Sequence, residues 1–151
     1  MQNPHTKAFT MLELTFAIVI IGILSAVAVP RMVATRDDAT IAKARTTVAA
    51  VRNAMSTERQ SRILQGNFSA ISDLARTNGV GNQIFDIFEN NNTVLEYPIR
   101  ACATVASTGC WFSDADNNYT YNMPVGGAVS FGIANSSFTC SDSADCRLLS
   151  E

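Results

Sequence analysis

Histidine is almost missing from this chain of 151 residues: the one example is His5, ahead of a long apolar run. If the segment carrying it is removed, the mature chain has none. A Ser-His-Asp or Cys-His nucleophile system and any histidine-containing zinc site then have no ligand to start from. An excess of positive charge is also lacking. With 11 Lys and Arg against 13 Asp and Glu the net charge is −2, which gives non-specific nucleic-acid binding no support. A convergent carboxylate set is absent too. The one local cluster, "SDADNN" at 113–118, lacks the glycine and closing glutamate of an EF-hand loop and reads as an Asp/Asn-rich hairpin turn. No internal repeat is evident. These absences leave little room for an enzyme, and no cofactor is expected.

What the chain does have is an apolar run at its start. Phe9 to Val29 is 21 residues with Glu13 as the only charge. As a helix it would rise roughly 30 Å, about one bilayer core. A secretory signal peptide is one reading, with Lys7 as the positive flank and Ala26-Val27-Ala28 as the cleavage site. The run is longer than such segments usually are, and it carries a carboxylate in its first turn. A plain membrane anchor meets the same objection, because a charge in the bilayer core costs about 2.5–3.5 kcal/mol on insertion scales.

A third reading accounts for Glu13. "Ala8-Phe9-Thr10-Met11-Leu12-Glu13", followed by an unbroken apolar helix with Gly22 and then Pro30, closely resembles the leader of type IV pilins and type II secretion pseudopilins. The resemblance covers residues 7–30. It implies cleavage by a prepilin peptidase between Ala8 and Phe9, on the cytoplasmic side, and N-methylation of Phe9. The family usually has glycine before the cut; Ala8 is also small. The resemblance further implies that Glu13 of one subunit pairs with the Phe9 amine of a neighbour, with Gly22 and Pro30 belonging to the same assembly helix. Expected partners are the peptidase, other copies and related pilins in a helical filament, an inner-membrane assembly platform and membrane lipid. The expected location is the bacterial inner membrane, single-pass, N-terminus cytoplasmic and head periplasmic, then a periplasmic or extracellular filament. A minor pilin acting in DNA uptake or adhesion is the alternative within the family, and an exported disulfide-bonded protein behind an ordinary signal peptide is the alternative outside it.

Past Pro30 the sequence turns polar but keeps a helical period. Ile41, Ala44, Val48, Val51 and Met55 form one apolar stripe. Arg45, Arg52 and Arg59 fall seven apart on an adjoining face, either a solvated flank or a contact for neighbouring subunits or DNA. Gln65-Gly66-Asn67 is a stop signal. "SAISDLAR" reads as a short helix with Ser69 as a possible cap, and "QIFDIFENN" as a helix or strand, with helix favoured. After Thr93, "TVLEYPIRA", "CWFS", "NYTYNM" and "AVSFGIA" read as strands. The expected fold is α+β, a long N-terminal helix packed on a small antiparallel sheet of three or four strands, ladle-shaped as pilins are. The expected divisions are a leader at 1–8, an assembly helix at 9–30, the head's amphipathic helix at 31–65, a connecting region at 66–92 and a β head at 93–151.

Cys102, Cys110, Cys140 and Cys146 all lie in the last third. Their spacing is too loose for the tight pairs of a Cys₄ zinc site, and behind an export signal they read as disulfides. Three pairings are available, and the local one, Cys102–Cys110 with Cys140–Cys146, is preferred. Trp111 beside Cys110 reads as core packing. Major pseudopilins often bind calcium in the head's C-terminal loops, and no clear equivalent is visible here.

Overall fold

The computed structural model describes residues 9–114, 116–141 and 145–150. The element order is α1 (Met11–Leu64), β1 (Gln83–Ile84), β2 (Ile99–Arg100), β3 (Cys110–Ser113), β4 (Tyr119–Asn122), β5 (Ala128–Ala134), β6 (Ser137–Ser141) and α2 (Cys146–Ser150). This is an α+β arrangement. It divides into two units, Met1–Arg36 and Asp37–Glu151.

In the first unit the helix opens on a cap. Thr10 Oγ1 accepts the Glu13 backbone N–H at 3.2 Å, and the Thr10 carbonyl takes the first helical bond, from Leu14 N–H at 3.1 Å. A threonine is well suited to this place because its hydroxyl satisfies one of the four donors that a helix start leaves unpaired. Met11–Val29 is then long and apolar enough to cross a membrane, and none of that stretch is buried. Pro30 lies inside α1; lacking an N–H, it leaves the Ala26 carbonyl without its helical donor.

In the second unit the three-and-four spacing of α1 turns one stripe inward. Ala44, Val48, Val51 and Met55 are buried, and Ile41 packs at the edge. The helix ends in a Schellman motif. Gly66, at φ 76°, donates its N–H to the Ile63 carbonyl at 3.0 Å, and Asn67 N–H reaches back to the Arg62 carbonyl at 2.8 Å. A left-handed residue is needed there, and glycine adopts that conformation without steric cost.

Strands β3, β4, β5 and β6 form an antiparallel meander in sequence order. Register fixes which side chains face the helix. Trp111 lies opposite Tyr121, Tyr119 opposite Phe131, and Tyr121 also opposite Val129. Each of these is buried, as is Phe138 on β6. Alternation in β3 and β4 places every second residue inward, as a sheet with one covered face requires. Phe131 and Phe138 stack at 4.9 Å between ring centroids, and Phe85 stacks on Tyr119 at 5.1 Å.

The connecting region departs from the sequence reading. Neither "SAISDLAR" nor "QIFDIFENN" forms a helix. In the first, Ile71, Leu74 and Ala75 are buried without helical backbone. Asp73 Oδ1 accepts the N–H groups of Leu74 and Ala75 together with the Tyr119 hydroxyl. Such side-chain bonds give the backbone an alternative to the helical ladder. In the second, Gln83–Ile84 pairs antiparallel with Ile99–Arg100, the only strand within "TVLEYPIRA". Strand β6 and the short α2 were not foreseen.

Candidate functional site

The N-terminal segment holds the residues to which the sequence assigns a role. Ala8 lies outside the described residues. Phe9 is exposed, just ahead of the Thr10 cap. Glu13 falls in the first turn of α1, three residues after Thr10, where a capping box places its acid. Its carboxylate makes no ion pair among the described residues. A negative charge at a helix start is favourable, worth about 0.3–1 kcal/mol at an exposed site. The threonine cap was missed in the sequence although the Thr-x-x-Glu spacing announces it. Gly22 is equally open: a Cβ built there meets nothing within 4 Å. Among the described residues the apolar side chains from Met11 to Val29 are thus all left uncovered, and an apolar surface of that length is stable only against lipid or other apolar helices.

The arginine row does something neither sequence reading foresaw. Arg45 donates from Nε and Nη2 to the Leu148 carbonyl, at 2.9 and 2.7 Å. Arg52 Nε donates to the Phe138 carbonyl at 3.0 Å. Arg59 Nη1 donates to the carbonyls of Phe68 and Ser69 at 3.1 and 2.8 Å. Seven-residue spacing sets the three guanidinium groups along one flank, and each fastens a different segment to α1.

A second set lies at the end of the helix and had no place in the sequence reading. Arg62 and Glu58 are both buried and bond at 2.7 Å, one helical turn apart. Arg62 also reaches Glu89 at 2.8 Å. Asn90 and Asn92 donate their Nδ2 groups to the two oxygens of Glu58. Glu89 Oε1 accepts the Ser72 hydroxyl and the N–H groups of Ser72 and Asp73. Burial alone would raise the pKa of Glu89, but the hydrogen bonds from Ser72, Arg62 and Asp73 outweigh it and hold it at about 2. Burial likewise opposes ionisation of Glu58, and the bonds from Arg62, Asn92 and Asn90 still bring its pKa down. The i, i+4 spacing of Glu58 and Arg62 was the legible signal.

Cys102 is joined to Cys110 and Cys140 to Cys146. In the 113–118 segment Asp114 accepts the N–H groups of Asp116 and Asn118, the bonding of an Asx turn. Among the described residues no three His, Cys, Asp or Glu side chains come together as a metal site would need. Trp111 is a core side chain, ringed by Phe85, Tyr121 and Phe131.

Comparison with known proteins agrees with the N-terminal reading. A family described as "Prokaryotic N-terminal methylation motif" matches residues 3–29. The chain is similar to the type IV narrow pilus major component PilA5 of Thermus thermophilus, 56% identical over 50 residues. That stretch is 33% of this chain and 43% of the relative, so the chain spans less than half of the relative's length in the match. No solved structure matches. These findings support a likeness to type IV pilins, carried by the methylation motif at residues 3–29.

Proposed function

We propose that the chain is the structural subunit of a type IV pilus-like filament, cut before Phe9 by a prepilin peptidase, methylated there, and polymerised through α1. The observation that carries this reading is the apolar stretch Met11–Val29, unburied throughout, in a chain whose other apolar stripe is buried from Ala44 to Met55. Cleavage would create an α-ammonium at Phe9, still cationic after methylation. In a bundle of such helices, Glu13 of one copy pairs with the Phe9 amine of the next. An intramembrane carboxylate is costly alone and tolerated when paired inside a bundle. The pair thus penalises the isolated subunit relative to the assembled one.

The platform, the peptidase and lipid are the partners this requires, with the N-terminus cytoplasmic and the second unit outside. Two disulfides in that unit suit an oxidising compartment. The divisions 9–30, 31–65, 66–92 and 93–151 follow as membrane and assembly helix, head helix, connection and β head. A pilus is favoured over a secretion pseudopilus by the pilus component to which the chain is similar. Intact mass and N-terminal sequencing of the mature chain test the reading. A methylated Phe9 start is expected; a Val29 start would mean an ordinary signal peptide, and an uncut chain would remove the processing step.

A further inference from the structure

Independently of how α1 assembles, the second unit holds a hollow that no step above uses. Spacing of three and four along α1 sets Thr40, Lys43 and Thr47 on one side of it, and Trp111 and Tyr121, neighbours across β3 and β4, form another. Ala44, Ile99, Arg100, Gly109 and Cys110 complete the lining. The volume is about 190 Å³. That is room for about six waters at ~30 Å³ each, or one six-membered ring bearing a carboxylate.

Its two cations, Lys43 and Arg100, are exposed at its rim and largely unspent, while its Thr40, Thr47 and Tyr121 hydroxyls already donate to carbonyls. Arg45, Arg52, Arg59 and Arg62 are all engaged with carbonyls or carboxylates. The Lys43 ammonium has no hydrogen bond or ion pair among the described residues, and Arg100 gives only Nε to the Gly81 carbonyl, at 3.4 Å. The indole N–H of Trp111 has no acceptor among them either and keeps access to solvent. No Asp or Glu lines the hollow. Thr47, itself buried, donates its hydroxyl to the Lys43 carbonyl and keeps its lone pairs free to accept. Two cations and an indole donor call for an anion rich in acceptors, while hydroxyls that accept call for a ligand that also donates. A benzoate-like ring has the charge but no hydroxyls; a sugar acid has both.

We propose that this hollow binds one acidic sugar residue, a hexuronate, with its carboxylate between Lys43 and Arg100 and its hydroxyls toward Trp111 and the threonines. The sugar is either the free acid or the end of an acidic polysaccharide.

Trp111 is the one tryptophan of the chain and lines the hollow, so its emission reports occupancy directly. Full-length protein in detergent micelles is titrated with glucuronate, with glucose as the neutral counterpart, and calorimetry runs in parallel to register binding that leaves emission unchanged. Saturable binding with Kd of about 1 mM is expected, at least tenfold tighter for glucuronate than for glucose. Lys43→Gln and Arg100→Gln should each weaken it about tenfold. Lys43→Arg should restore it, and Arg76→Gln, which removes a cation outside the hollow, should leave it unchanged. Melting midpoints equal to the parent's show that each variant is folded. A disaccharide ending in glucuronate binds more tightly than the monosaccharide if the source is a polymer and equally if it is the free acid. No saturable response by either method up to about 50 mM, equal affinity for glucose, or indifference to both cation substitutions would overturn the proposal.

Discussion

Glu13 has one use within its own helix and a second proposed between copies, and a single substitution separates them. Its backbone N–H is held by Thr10 Oγ1, and its carboxylate sits where the helix start favours negative charge. Glu13→Gln keeps the N–H and the length of the side chain and removes only the charge. If the carboxylate serves the helix alone, the loss is about 0.3–1 kcal/mol and the filament persists. If it pairs with the Phe9 amine of a neighbouring copy, the subunit is still cut at Phe9 but filaments fail. We expect the second outcome, read as a mature-length subunit retained in the membrane fraction and a several-fold drop in sheared filament. Undiminished filament would sink the pairing. Glu13 was legible in the sequence because a charge inside an apolar run has few excuses. Its link to Thr10 was less visible, since a threonine in an apolar helix draws no notice until its hydroxyl is seen to accept.

At the scale of elements, legibility followed the distance to the partner. The stripe from Ala44 to Met55 and the stop at Gly66 are local patterns, and both were readable. The connection from Asn67 to Asn92 was not, because what organises it comes from elsewhere. Asp73 is tied to Tyr119, and Glu89 joins Ser72 to Arg62 on the helix. Helical propensity in "SAISDLAR" lost to these bonds, as tertiary context regularly overrides it. The same bonds make the connection acid-labile. Glu89 has a folded pKa of about 2 against an ordinary value of 4.5, and Glu58 is lowered as well. A carboxylate whose pKa is depressed on folding stabilises fully above its unfolded value. That contribution fades as pH falls from about 4.5 toward 2, because the unfolded chain takes up protons first. Denaturant melts of the full chain should therefore lose stability across this window. Glu89→Gln should cost about 1.5–3 kcal/mol at neutral pH, the range for hydrogen bonds to a charged group, and should flatten the acid limb. A limb as steep in the variant as in the parent would place the acid sensitivity elsewhere.

At the scale of the molecule, the two units are stabilised by different means. The first buries nothing of its apolar stretch within itself, so under the proposed function its free energy depends on lipid and on other helices. The second has its own core, from Val48 and Met55 through Phe85 to Phe138 and Leu149. The cystines fall wholly in this second unit, at sequence separations of 8 and 6. Loops this short are worth about 2.5 kcal/mol each if a disulfide acts by restricting the unfolded chain. Replacing Cys102 and Cys110 together by serine should lower the melting midpoint of the second unit by roughly 10 °C. The Cys140 and Cys146 pair should cost a similar amount, since its loop is nearly the same size. Neither replacement touches the apolar stretch, so processing at Phe9 and membrane association should be unchanged in both. Loss of membrane association with either pair would show that the stability of the second unit governs the first, against their independence. Retention of both, with a lowered midpoint, would show that the cystines serve the folding of the head alone.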